Sequence, residues 1–165
     1  MEKALAEATQ ALDLGEFPVG CVIVYQEKVI ASGSRRGSTG AIASETDHAE
    51  ILALKQLEAY GPVDRSKLTL YCTLEPCLMC FGAILISGIG RIVFAYEDVM
   101  GGGTQCDLSR LPALYSSQPV SIVSHLLRDK SLCLLQSFFS NPLNTYWKDS
   151  LLSRYTLSAT SVVPD

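Results

Sequence analysis

Asp47-His48-Ala49-Glu50-Ile51 and Thr73-Leu74-Glu75-Pro76-Cys77-Leu78-Met79-Cys80 are the two stretches on which this chain turns. Together they supply one imidazole and two thiols, which make three zinc ligands, and a carboxylate, Glu50, that the metal does not need. A structural zinc site fills all four tetrahedral positions with protein, whereas a catalytic one keeps a position for water. Three ligands with a spare Glu beside the first therefore compose a hydrolytic site. Cys77 and Cys80 stand three residues apart and share one face of a helix. Pro76 precedes them at a helix start, where a missing N–H does no harm. The positive end of that helix favours both thiolates, as does zinc itself. His48 opens a periodic run, Ile51, Leu52, Leu54 and Leu57, that reads as a second amphipathic helix. Two helix starts are thus expected to meet at one metal.

Each piece alone has a plainer reading. Cys77-x-x-Cys80 suits a redox pair, His48 an ordinary surface histidine, and Asp47-x-x-Glu50 a capping box in which Glu50 bonds only backbone. The order, the proline and the glutamate taken together select zinc: His48, Cys77 and Cys80 as ligands, Glu50 as the catalytic carboxylate.

Outward from these motifs the chain alternates strands and helices. Residues 2–14 have helical spacing (Leu5, Ala8, Leu12) and stop at Gly15. Val19 to Tyr25 and Lys28 to Ser32 are β-rich runs joined by Gln26-Glu27, a hairpin. A polar loop, 33–46, leads to the His48 helix, which Gly61-Pro62 ends. Strands follow at 68–73 and 91–95, separated by the Cys77 helix running to Gly88. A loop with Gly101-Gly102-Gly103 precedes a short helix at 108–115, a strand at 120–124 and a helix at 126–139. The last two strands, with a helical crossover between them, run parallel. These elements predict an α/β fold, a three-layer α/β/α sandwich around a mixed five-stranded sheet. The tail carries Tyr146, Trp147, Leu151, Leu152 and Tyr155, too apolar to hang free. It is expected to pack on its own domain or on a partner.

The 165 residues fit one domain with a proper core. Lys+Arg 13 against Asp+Glu 17 gives a net charge of −4, which is not the footprint of a protein held to nucleic acid by bulk charge. No apolar run suits a membrane span and no secretory segment opens the chain, so cytoplasm is the expected compartment and a membrane is not an expected partner. The six cysteines then read as reduced thiols. Two belong to the metal, Cys21, Cys72 and Cys133 read as small core residues, and Cys106, after the glycine run, as more exposed.

The order His-x-Glu followed by Pro-Cys-x-x-Cys is the pattern of zinc nucleobase deaminases. With Gly15-Glu16-Phe17-Pro18-Val19-Gly20-Cys21 and Gly90-Arg91-Ile92-Val93-Phe94, the chain resembles the cytidine-deaminase-like superfamily over residues 1–139, on the branch of bacterial tRNA adenosine deaminases and guanine deaminases. The resemblance implies a zinc-dependent deaminase domain at 1–139, followed by a helical, aromatic-rich extension at 140–165. It also implies a homodimer, and a reaction that turns an exocyclic amino group of a nucleobase, nucleoside or nucleotide into a carbonyl with release of ammonia. The substrate-binding candidates are Ala49, through its backbone, together with Cys21 and Arg35, and the resemblance implies that the Leu74–Cys77 turn helps to orient the base. Phe17, Tyr96 and the tail aromatics are candidates to stack on the base, although core packing is the plainer role for Phe17.

One departure bears on the substrate. Members of this branch carry an Asn after the second strand, where this chain has Ser34 or Arg35. Arg35 and Arg36 are either solvated or, more sharply, one of them holds a substrate phosphate or carbonyl. With the acidic balance, this favours a small-molecule substrate, and adenosine-to-inosine editing of tRNA is the alternative. A scaffold keeping zinc only for folding would have no use for Glu50.

Overall fold

The computed structural model describes residues 1–39 and 43–160; residues 40–42 of the expected loop and 161–165 of the tail lie outside the described residues. Five strands build one sheet: β1 (Gly20–Tyr25), β2 (Lys28–Ser34), β3 (Thr69–Leu74), β4 (Arg91–Tyr96) and β5 (Ser121–Val123), in the order β2-β1-β3-β4-β5. β1 is antiparallel to β2 and β3, while β3, β4 and β5 run parallel, so the sheet is mixed as expected. The β1–β2 hairpin turns through Gln26 and Glu27, whose φ values of 47° and 65° match the right-handed twist of the strands they join. Parallel neighbours need a crossover, and α3 (Leu78–Ile86) supplies it between β3 and β4.

The register explains the layering. Gly20 pairs with Ser34 and Cys21 with Gly33, and successive residues of a strand face opposite sides. A Cβ on Gly20 would lie 2.1 Å from the Ala4 carbonyl oxygen in α1 (Glu2–Asp13), and one on Gly33 only 2.3 Å from that of Ala49 in α2 (Ala49–Tyr60). Helices α1 and α2 therefore press on opposite faces, each where a glycine leaves room for backbone. Helix α3 packs beside α2, and α5 (Arg128–Ser140) beside α1. Between the layers lie Ile23, Leu57, Leu70, Ile84, Ile92 and Leu132, all buried. Gly33→Ala should push α2, and His48 at its start, off the sheet. Overpacking of this kind costs about 1–3 kcal/mol. Urea unfolding should show that loss, and an unchanged midpoint would mean that α2 can reseat without cost.

Three expectations change. The helix read at 108–115 is a 3₁₀ turn at Leu108–Arg110 and a short α4 at Ala113–Ser116. Pro112 divides them, because it has no N–H and holds Leu111 extended at φ −92°, ψ 160°. Cys133 is exposed on α5 rather than buried, whereas Cys21 and Cys72 are buried opposite each other on β1 and β3. Strand β2 continues to Ser34, two residues further than read.

The extension returns over the domain. Its helix α6 (Leu151–Ser158) packs on α5 with Leu152 fully buried. Gln136 donates from α5 to the carbonyls of Thr156 at 3.1 Å and Ala159 at 2.8 Å. Tyr155 donates its hydroxyl to Glu97 at 2.6 Å, beside the guanidinium of Arg128, which binds the same carboxylate. Burial by itself raises the Glu97 pKa, but these bonds hold it down to about 2. No helix among the described residues is long and apolar enough to cross a membrane.

Candidate active site

The C-terminal end of β3 and the N-terminal ends of α2 and α3 converge on one point. His48 is the N-cap of α2 and Cys77 the N-cap of α3, with Cys80 one turn in. The first amides of a helix have no partner within it, so both helices aim positive ends at this point. His48 Nδ1 lies 3.6 Å from Cys77 Sγ and 3.4 Å from Cys80 Sγ, and the three ligand atoms lie within 4.8 Å of one another. Tetrahedral zinc with ordinary Zn–S and Zn–N bonds separates such donors by about 3.6 Å. The trio fits zinc.

Held this close together, the three groups compete for protons that a cation would displace. The hydrogen bond with Cys80, with help from His48, lowers the Cys77 thiol to about 4 against the opposing pull of burial. The same thiol–thiolate hydrogen bond, and burial, push Cys80 up. His48 is raised, chiefly by its bond to Cys77. Glu50, in the first turn of α2, is 3% exposed, and burial raises its pKa. A carboxyl lifted in this way is suited to accept a proton and give it up again.

His48, Glu50 and Cys77 line a narrow pocket with about 30 Å³ of enclosed space. Ala49, Arg35 and Phe17 line it, and Tyr146 and Trp147 reach it from the extension. Phe17 is also core, ringed by Phe138, Phe139, Tyr146 and Trp147 at 5.4–5.8 Å. Cys21 is fully buried outside the pocket lining, on the sheet face that α2 covers, and Tyr96 is likewise buried away from it. Arg35 is not solvated: at 3% exposure it donates to the carbonyls of Arg36 and Ser44 and to the Tyr146 hydroxyl at 3.2 Å. Arg36 is the exposed one.

Two lining carboxylates had no role of their own in the sequence reading: Glu75, which falls within the Leu74–Cys77 turn, and Asp98. Glu75 accepts from the amides of Thr104 and Asp98, each at 3.2 Å, and so fastens the glycine loop over Cys77. Asp98 accepts from the amides of Met100 at 3.0 Å and Gly101 at 2.9 Å, and burial raises its pKa. The signal for both was their place, just past the carboxyl ends of parallel strands, where open α/β sheets bind ligands.

Three protein donors, with a buried carboxylate beside them that is not among them, define a zinc-dependent hydrolytic centre. Comparison with known proteins narrows the class. Residues 1–96 match the cytidine and deoxycytidylate deaminase zinc-binding region, and the chain belongs to that family. The tRNA-specific adenosine deaminase of Buchnera aphidicola is 36% identical over 153 residues, covering 86% of this chain and 92% of its own. That of Bacillus subtilis is 33% identical over 142 residues, covering 84% and 86%. A structure from studies of A-to-I editing by tRNA:A34 deaminases is similar at a TM-score of 0.65 and 33% identity, over 82% of this chain and 97% of that one. A guanine deaminase from Nitrosomonas europaea shares the fold at a TM-score of 0.65 and 23% identity, over 83% and 81%. The chain is a hydrolytic deaminase by family.

Proposed function

We propose that this protein deaminates adenosine in tRNA, exchanging the exocyclic amino group for a carbonyl and releasing ammonia. The observation that carries the reading is likeness to tRNA-specific adenosine deaminases over most of both chains, joined to a pocket that sets Glu50 and Ala49 beside the metal-binding residues. His48, Cys77 and Cys80 would hold zinc, which would supply a Lewis acid able to make water nucleophilic at neutral pH. Glu50 takes the proton from that water and passes it to the ring nitrogen, which makes the amino-bearing carbon electrophilic. The water oxygen adds to that carbon. Glu50 then takes the second proton from the added hydroxyl and gives it to the amine. The C–N bond breaks and ammonia departs, leaving a carbonyl, so one carboxyl serves every proton step. Ala49 opens α2, where its N–H has no carbonyl within the helix to bond, and it offers that donor to the base.

The case for a small-molecule substrate rests on the acidic balance, on the missing Asn and on Arg35 or Arg36 reaching the substrate, and its Arg35 part requires a guanidinium free at the pocket mouth. Buried, with its donors committed to protein oxygens, Arg35 does not meet that condition. The zinc-loaded protein is expected to form inosine in an anticodon stem-loop carrying adenosine in the loop. Ammonia release from adenine, guanine, their nucleosides or nucleotides, with none from the RNA, would instead establish the small-substrate reading.

A further inference from the structure

Tyr146 and Trp147 are the two pocket-lining residues contributed by the extension. Their rings stack on each other, 5.0 Å between centroids and 14° from parallel, and both abut Phe17 at 5.6 Å. Trp147 holds a left-handed backbone at φ 49°, and Asp149, two residues on, another at φ 62°. A bulky aromatic residue seldom adopts that region, and such backbone persists only where its surroundings over-determine it.

The surroundings do so here. The Tyr146 amide donates to the Asn144 side chain at 2.9 Å. The Tyr146 hydroxyl accepts from Arg35 at 3.2 Å and donates to Glu45 at 3.1 Å, with the guanidinium 5.9 Å from the ring centroid. Beyond the turn, Tyr155 anchors α6 to Glu97, the residue before pocket-lining Asp98. The extension is thus fastened on two sides of the pocket.

We infer that Tyr146 and Trp147 are specificity-determining residues, a stacked aromatic wall on whose free face the substrate base stacks. Arg35 and Glu45 are positioning residues that set this wall and leave the substrate to others. The inference rests on the deaminase reading of the site, not on which molecule carries the purine. Aromatic stacking reads the face of a base and tolerates what is attached to it, and its loss typically weakens binding about 5- to 150-fold per base.

The chain has one tryptophan, so its emission reports directly on this wall. Zinc-loaded Glu50→Ala protein, which binds without turnover, is titrated with adenosine and with the anticodon stem-loop, while equilibrium dialysis measures binding independently. Saturable quenching of Trp147 that tracks the dialysis curve is expected for the ligand that binds. In the active enzyme, Trp147→Ala should raise KM about tenfold or more with a smaller change in kcat, and Trp147→Phe should stay within about threefold. Arg35→Ala should also raise KM and red-shift the emission before any ligand is added, because its wall loosens. Binding by dialysis with silent emission, or an unchanged KM in a folded Trp147→Ala protein, overturns the inference. If RNA neither binds nor reacts while a small purine quenches and turns over, the tRNA proposal fails and the wall stands.

Discussion

Glu50→Ala should abolish turnover while the protein keeps its zinc and its fold. The ligand trio is His48, Cys77 and Cys80, and Glu50 is not in it. The Glu50 carboxyl is buried, with a pKa raised by that burial, and it lines the same pocket. A positioned acid–base group contributes typically ~10²–10⁴-fold, and a group used in several proton steps of one turnover belongs at the upper end. Metal analysis, melting temperature and rate should be measured on one preparation. A variant that has lost its metal along with its activity would make Glu50 a ligand and break the mechanism.

The second large effect belongs to Cys80. Its sulfur is fully buried, 3.4 Å from His48 Nδ1, in the first turn of α3. Cys80→Ala should lose most of the zinc and unfold at lower temperature, because a metal that binds only the folded chain adds to its stability. At a thousandfold excess over Kd that linkage is about 4 kcal/mol. A strong chelator applied to the unaltered protein should reproduce the fall in melting temperature. Cys133→Ala, exposed on α5, is the control and should change neither metal nor melting. A Cys80→Ala protein that still carries a full equivalent of zinc would refute the ligand assignment.

The metal centre was legible because its chemistry demands particular residue types at particular spacings. His-x-Glu and Pro-Cys-x-x-Cys each begin a helix, and a helix start is a local property that sequence records. The β1–β2 hairpin and the parallel β4–β5 pair were legible for a related reason, since a two-residue turn or a helical crossover leaves few arrangements of its two strands, whereas the order of all five strands was not read. The pocket wall was not legible. Arg35 and Tyr146 are 111 residues apart, and only tertiary packing joins them. From sequence an arginine in a polar loop reads as solvated, since Arg is almost never fully buried unless paired. Its partners here are two backbone carbonyls, the Glu45 carboxylate at 3.7 Å and a distant phenol, a set that no local pattern announces. Cys133 shows the same limit on a smaller scale. Its neighbours are apolar, but the face of α5 on which it falls decides its exposure.

The wiring of the pocket also sets a schedule. All three metal ligands lie between residues 48 and 80, on segments flanking the strands at the centre of the sheet, whereas the aromatic wall waits for residues 146 and 147. A chain emerging from the ribosome has therefore presented every zinc donor before the wall exists. Closing a contact across 111 residues is also entropically the slower event. In refolding, zinc uptake should run ahead of the change in Trp147 emission. If the two progress together, the wall and the metal centre form in a single step.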